Sequence, residues 1–212
     1  MDKYTEPHFD TSALITIDVQ NDFTLPDAPA RIPGTAEVVP NVVRLLQAYR
    51  RRGLPIVHMV RLYQRDGANV DVCRRELIEN GKAIAAPGTD GAELVAALQP
   101  ESHARLDAAL LLSGAPQQIG PNEFALYKPR WGAFYQTVLE DFLRERHVDT
   151  LVFCGCNYPN CPRTSIYQAS ERDFRLALAS DAMSQVYAKG EEEMANIGVS
   201  LLETGSLEER LK

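Results

Sequence analysis

Leu151-Val-Phe-Cys154-Gly155-Cys156-Asn157-Tyr158-Pro159-Asn160-Cys161-Pro162-Arg163-Thr164-Ser165 is the stretch from which the fold of this chain is read. Thr150 to Phe153 is a short, apolar, β-rich run of the kind that forms a buried parallel strand, and Thr164 to Arg172 alternates polar and apolar residues in a helical period. Between them lies a tight Gly/Asn/Pro turn ending in Cys161. Pro162 suits the first position of a helix, where a missing N–H costs nothing, so Cys161 is expected at or near the N-cap. A thiol there faces unpaired backbone N–H groups and the positive end of the helix dipole, which favours its nucleophilic thiolate. The same cysteine also suits a second reading, as a small buried hydrophobe at a strand-helix joint.

The strand-turn-helix unit repeats in both directions. Thr11 to Val19 is an apolar strand closing on Asp18, and Val38 to Arg52 has helical periodicity stopped by Gly53. Leu54 to Val60 is a second strand. Phe124 to Lys128 alternates into a third that ends in Lys128, ahead of Trp131, and Phe134 to Arg146 is helical. After the Cys161 turn come a strand over Arg175 to Ala179 and an amphipathic last helix over Glu191 to Leu202. Glu93 to Leu98 reads as a short helix, Ala108 to Leu112 as a strand or buried helical turn, and Gly114 to Asn122 as a loop. Strands alternating with helices predict a parallel sheet with right-handed crossovers and helices on both faces.

The 212 residues suffice for one sizeable core and predict a single domain over residues 1–212. The formal net charge of -7, with basic and acidic residues interleaved, predicts neither a nucleic-acid nor an anionic-membrane footprint. Apolar runs are too short for a bilayer span and the first residues lack a signal peptide's apolar core, so a cytoplasmic location is expected. The four cysteines, Cys73, Cys154, Cys156 and Cys161, lack Cys-x-x-Cys spacing and the four histidines are scattered, which argues against structural zinc. No glycine-rich phosphate cradle follows any strand, so no cofactor is expected. Arg61, Arg65, Arg74 and Arg75 lie in the weakly patterned segment Arg61 to Gly91. They read chiefly as a solvated loop and helix face, with anion binding as the alternative.

Asp18, Lys128 and Cys161 each follow a different strand, so a parallel sheet brings them to one carboxyl edge, where open α/β sheets carry their sites. An acid to take the thiol proton and a cation to hold the thiolate are what a cysteine nucleophile needs. Three segments, Leu14-Ile-Thr-Ile-Asp18-Val-Gln-Asn-Asp-Phe23, Tyr127-Lys128-Pro-Arg-Trp131-Gly-Ala-Phe134 and the Gly155 to Arg163 turn, resemble the isochorismatase-like cysteine hydrolases, over about residues 12 to 187. That resemblance implies a three-layer α/β/α fold with a six-stranded, largely parallel sheet and Asp18, Lys128 and Cys161 as the catalytic triad. It also implies a cis peptide at Cys156-Asn157 and an oxyanion hole from the N–H groups of Asn157 and Cys161. Phe23, Trp131 and Tyr158 are candidates for walls of a small pocket. The nicotinamidases of that family carry an Asp-x-His and a further His near the second strand to bind metal. Here the matching region, His58 to Val72, has Asp66 and Asp71 but no second histidine, so no catalytic metal is expected and His58 reads as a packed core residue. The expected function is hydrolysis of a small amide or ureido substrate through a thioester. The alternatives are vinyl-ether cleavage of the isochorismatase type and a catalytically silent or redox-sensing protein. A homo-oligomer, dimer or tetramer, is expected from the same resemblance.

Overall fold

A seven-stranded sheet runs through the protein in the order β3-β4-β2-β1-β5-β6-β7, in a computed structural model that describes residues 2–212. Its strands are β1 (Ser12–Ile17), β2 (Ile56–Val60), β3 (Gln117–Gly120), β4 (Glu123–Tyr127), β5 (Thr150–Gly155), β6 (Arg175–Met183) and β7 (Ser200–Leu202). All neighbours pair in parallel except β3 with β4. The helices are α1 (Asn21–Thr24), α2 (Thr35–Arg52), α3 (Val72–Glu79), α4 (Ala108–Leu112), α5 (Leu139–Arg144), α6 (Cys161–Ser170), α7 (Ala188–Asn196) and α8 (Thr204–Arg210). None of the helices among the described residues is long and apolar enough to cross a membrane.

The sheet has two cores because strand side chains alternate between faces. Leu14, Ile56, Val60, Val152, Cys154, Ala177 and Ala179 point to the face covered by α2, α4 and α8. Their neighbours Ala13, Ile15, Ile17, Val57, Met59, Leu151, Phe153, Leu176 and Leu178 point to the face covered by α5, α6 and α7. Burial on both faces is why β1, β2 and β5 read as continuous apolar runs rather than alternating ones. The long helix α2 turns Val42, Leu45, Leu46 and Tyr49 inward and stops at Gly53, whose φ of 63° is the left-handed conformation that closes a helix C-terminus. The following N–H groups of Gly53 and Leu54 return to Arg50 and Tyr49 oxygens, so the chain reverses straight into β2.

The expectation of six strands is corrected to seven, and each discrepancy is local. Gln117–Gly120 was expected as loop because its polar, glycine-bounded sequence has no apolar alternation, but it forms a sheet edge paired antiparallel to β4. Residues 191–202, expected as one helix, are divided between α7 and the three-residue β7. Gly198, at φ 82°, breaks the helix between them. The expected helix over Phe134 to Arg146 is regular only from Leu139, and the short helix expected over Glu93 to Leu98 is a single 3-10 turn, Ala96–Leu98, with another, Asp90–Ala92, just before it. Ala108–Leu112 resolves as helix, capped by the Asp107 carboxylate on the N–H groups of Ala109 and Leu110.

One polar chain crosses the interior. Thr16 and His58 are register partners on β1 and β2. The Thr16 hydroxyl lies 2.8 Å from His58 Nδ1, and His58 Nε2 lies 2.8 Å from Glu123 Oε1. Arg50 of α2 closes the chain by donating to both Glu123 oxygens at 2.8 and 2.7 Å. Burial alone would raise the Glu123 carboxyl, but hydrogen bonds from Arg50 and His58 overcome it and hold the group at about 2. Because this lies below the ordinary glutamate value, the pair contributes stability at neutral pH that is lost as pH falls from about 4.5 toward 2. Glu123→Gln is expected to cost about 3 kcal/mol at pH 7 and to flatten the acid side of the stability curve in that window. Urea melts of both proteins between pH 2 and 7 check this, and parallel curves would refute it.

Candidate active site

The first side chain of the site is set by the end of β1. The ladder continues one residue past the strand, with the Asp18 N–H donating to Met59 O at 3.0 Å, and Asp18 then turns into the left-handed region at φ 53°. Aspartate tolerates that conformation better than most residues. Its carboxylate is thereby directed into the sheet's carboxyl edge, where it is 5% exposed. Gln20, fully buried, holds the ends of β1 and β2 together. It donates to the oxygens of Arg61 and Ala92 at 2.8 and 2.6 Å, and accepts from the Arg61 N–H at 2.7 Å.

Lys128 stands one residue beyond β4 and its N–H donates to Val60 O at 3.0 Å. Its ammonium, with no exposed surface, lies 2.8 Å from Asp18 Oδ2. The other Asp18 oxygen, Oδ1, is buried and has no hydrogen-bond partner. Asp71 Oδ1 is bare in the same way, so what distinguishes Asp18 is the Cys161 thiol, which its carboxylate reaches.

The third side chain arrives through the turn after β5. Gly155, at φ 114°, presses against β1 so closely that a Cβ on it would fall 2.4 Å from Ile17 O, and Cys156 N–H donates to the same oxygen at 2.9 Å. Only glycine permits this approach, and it carries the turn over the end of β1 beside Asp18. Asn160 is the N-cap of α6, Cys161 its first residue and Pro162 its second, one position later than the expected placement of the proline. The Ser165 hydroxyl donates to Cys161 O at 2.7 Å and accepts from Ala133 N–H at 3.0 Å, while Gln168 accepts from Phe134 N–H. These bonds sew the segment after Lys128 to α6, so the lysine and cysteine are held by one framework.

Cys161 is 6% exposed. Burial and the negative charge of Asp18 push the thiol up to about 12, against the opposing pull of Lys128 and Arg61. Desolvation outweighs the helix N-terminus here, so the resting group is a thiol beside an acceptor. Cys154 is raised by burial alone, while Cys156 is raised by burial and the Asp18 charge and is drawn down by a Thr35 hydrogen bond and Lys128.

The Cys156-Asn157 peptide is trans, which corrects the expected cis bond; the turn reverses on the Gly155 and Asn160 dihedrals instead, and trans is the form non-proline residues favour. The Tyr158 N–H goes to Ser184 O and the Asn160 N–H to Asn157 O, whereas those of Asn157 and Cys161 have no hydrogen-bond partner in the turn. Among the three expected pocket walls, Phe23 is 2% exposed and packs with Tyr63, Val70 and Cys156. Tyr158 is fully buried, with its hydroxyl on Gly190 O at 2.7 Å and its ring edge-on to Tyr187, so it faces the interior rather than a ligand. Trp131 is partly exposed and carries the Arg74 guanidinium 4.8 Å from its ring centroid.

Sequence reasoning missed a second polar group at the same edge. Arg61, expected as a solvated loop residue, is 2% exposed and ion-paired with the equally buried Asp71. Its guanidinium lies 4.7 Å from the Tyr63 ring centroid and reaches Lys128 O at 3.4 Å. The signal that could have found it is the one that identified Asp18 and Lys128, a charged residue directly after an apolar strand.

Two features bear on metal binding. No group of three or more His, Cys, Asp or Glu residues suited to a metal occurs among the described residues. The acids of the region are committed elsewhere, since Asp66 accepts from Ala68 N–H, Asp71 pairs with Arg61, and His58 lies between Thr16 and Glu123 inside the sheet. The metal set of the nicotinamidases does not fit these residues.

An open parallel α/β sheet with an acid, a lysine and a cysteine delivered by three strand ends defines a class of single-sheet enzymes with the site at the sheet's carboxyl edge. Residues 12–200 match the Isochorismatase domain family, and the chain belongs to that family. It is 30% identical over 194 residues to a protein of Arabidopsis thaliana named a probable inactive nicotinamidase, covering 89% of this chain and 90% of that one. It is also 30% identical over 165 residues to the N-carbamoylsarcosine amidase of an Arthrobacter species, with 77% of this chain and 55% of that one covered. Among solved structures, an isochorismatase family protein from Desulfovibrio vulgaris superposes with a TM-score of 0.81 at 33% identity, over 95% of this chain and 98% of that one.

Proposed function

We propose that this chain is a cysteine-dependent hydrolase that cleaves the C–N bond of a small amide or ureido compound. The observation that carries the reading is the buried Asp18-Lys128 pair with one carboxylate oxygen left bare beside the raised Cys161 thiol. The amidase named among the relatives supports amide chemistry.

Attack begins with transfer of the Cys161 proton to Asp18 Oδ1, the oxygen with no competing donor. The thiolate adds to the substrate carbonyl, and the oxygen that gains charge is met by the unengaged N–H groups of Asn157 and Cys161. Asp18 returns the proton to the departing nitrogen, leaving a thioester on Cys161. Water, deprotonated by Asp18, then hydrolyses the thioester, releases the acid and restores the thiol. Lys128 stays protonated throughout and holds Asp18 in place through Oδ2. A homo-oligomer is part of the same proposal.

The test is a panel of small amides and ureides followed by ammonia release and by intact-mass spectrometry of quenched protein. The expected result is ammonia together with a protein adduct equal in mass to the acyl group. No ammonia and no adduct from any member would refute the reading.

A further inference from the structure

Cations gather at this edge of the sheet, and not every one of them is matched by a carboxylate. Lys128 faces Asp18 and Arg61 faces Asp71, whereas Arg74, the third residue of α3, has no carboxylate at ion-pair distance among the described residues.

The guanidinium is held as a receptor rather than left to wander. One nitrogen, Nη1, donates to the Tyr63 hydroxyl at 2.9 Å, and the plane lies over Trp131 at 4.8 Å. Tyr63 in turn donates to Asp71 Oδ2 at 3.4 Å, and the Arg74 N–H donates to Asp71 O at 2.8 Å, so side chain and backbone are tied to one buried acid. Arg74 itself is only half-buried, which leaves part of its donor fork open. Tyr63, Asp71 and Arg61 link it to Lys128, so its open donors belong to the same edge of the sheet as the thiol's partners. A planar fork with free N–H groups, fixed against an aromatic ring, matches the geometry of a carboxylate better than that of any neutral group.

We propose that Arg74, seated on Trp131 and tied to Tyr63, receives a carboxylate on the substrate, so that the compound cleaved at Cys161 is a small amido or ureido acid rather than a neutral amide. This rests on the hydrolase reading for the scissile bond, but not for the binding of the acid group. The bridge from Arg74 through Tyr63 to Asp71 and Arg61 makes the acid-binding group continuous with the frame that holds Lys128.

The experiment compares kcat/KM for two matched pairs, succinamate against succinamide and N-carbamoylglycine against N-carbamoylglycinamide, in the unaltered protein and in Arg74→Met and Arg74→Lys. The acid of each pair is expected to be the better substrate. Arg74→Met should lower the acid-to-amide ratio about 100-fold, chiefly through KM, and Arg74→Lys should recover part of it as a point charge without the fork. A second arm titrates succinate calorimetrically into Cys161→Ala protein with and without Arg74→Met, expecting at least about tenfold weaker binding when the arginine is lost. If amides are cut but the ratio does not respond to Arg74, or neutral amides are preferred, the carboxylate site is wrong and the hydrolase reading stands. If no amide is cut while succinate binding still depends on Arg74, the hydrolase reading is wrong and the carboxylate site stands.

Discussion

Cys161→Ala is expected to abolish amide cleavage, with a fall in kcat of about 10⁴ or more, while the fold is retained. The magnitude follows from covalent catalysis, in which the nucleophile and its base act as a unit and removal of either costs nearly the whole enhancement. Alanine fills the first position of α6 without strain, because Cys161 contributes its backbone to the helix and its side chain to nothing but the crevice edge and the core beneath. Asp18→Asn should be comparably inactive, since an amide cannot accept the thiol proton. Ammonia release and loss of the acyl adduct in the mass spectrum measure both. Turnover of a vinyl ether that survives Cys161→Ser and disappears in Asp18→Asn would instead favour chemistry in which the acid matters and the thiol does not. Undiminished amide turnover in Cys161→Ala would end the thioester mechanism.

Lys128→Met is expected to cost both stability and rate. The methionine follows the lysine stem in length, so the principal change is removal of an ammonium that has no exposed surface and lies 2.8 Å from Asp18. Asp18 is then left buried and unpaired, which costs about 3–5 kcal/mol at neutral pH. The rate should fall by about 10²–10³, because the acid that must take the thiol proton is no longer held in place. Adding Asp18→Asn removes the stranded charge and should restore much of the lost stability without restoring activity. Urea midpoints of the two single variants and the double variant form the cycle that checks this. Additive stabilities would show that the pair is not coupled and would remove Lys128 from the mechanism.

The architecture was legible because buried parallel strands leave an unmistakable imprint. Ile-, Leu- and Val-rich runs at β1, β2 and β5 can be satisfied only by a sheet covered on both faces, and helical periods between them supply the covers. The charged residues after β1 and β4 were likewise readable, because a carboxyl strand end followed by an ionisable group is a local pattern. The edge strands were not. β3 and β7 owe their form to a neighbour's unpaired N–H and C=O groups, and a sequence window contains no record of its neighbour.

Arg61 shows the same division at the site. Locally it begins a polar loop, and only the burial of Asp71 ten residues later and the fold of α3 over the sheet edge turn it into an interior ion pair. The Cys161 thiol divides in the same way. Its position at a helix start was visible in the Cys-Pro pair, but its acidity depends on how completely water is excluded and on where the Asp18 charge falls, both of them long-range quantities.

By itself the sequence determined a parallel α/β sheet, its family, and the three side chains that its strand ends deliver. Only the tertiary structure decided that Lys128 pairs with one oxygen of Asp18, that burial raises the Cys161 thiol, and that Arg74 is seated on Tyr63 and Trp131 with no carboxylate at ion-pair distance. Periodicity and motif spacing are properties of neighbouring residues along the chain, whereas desolvation and charge pairing exist only between groups that folding has brought together.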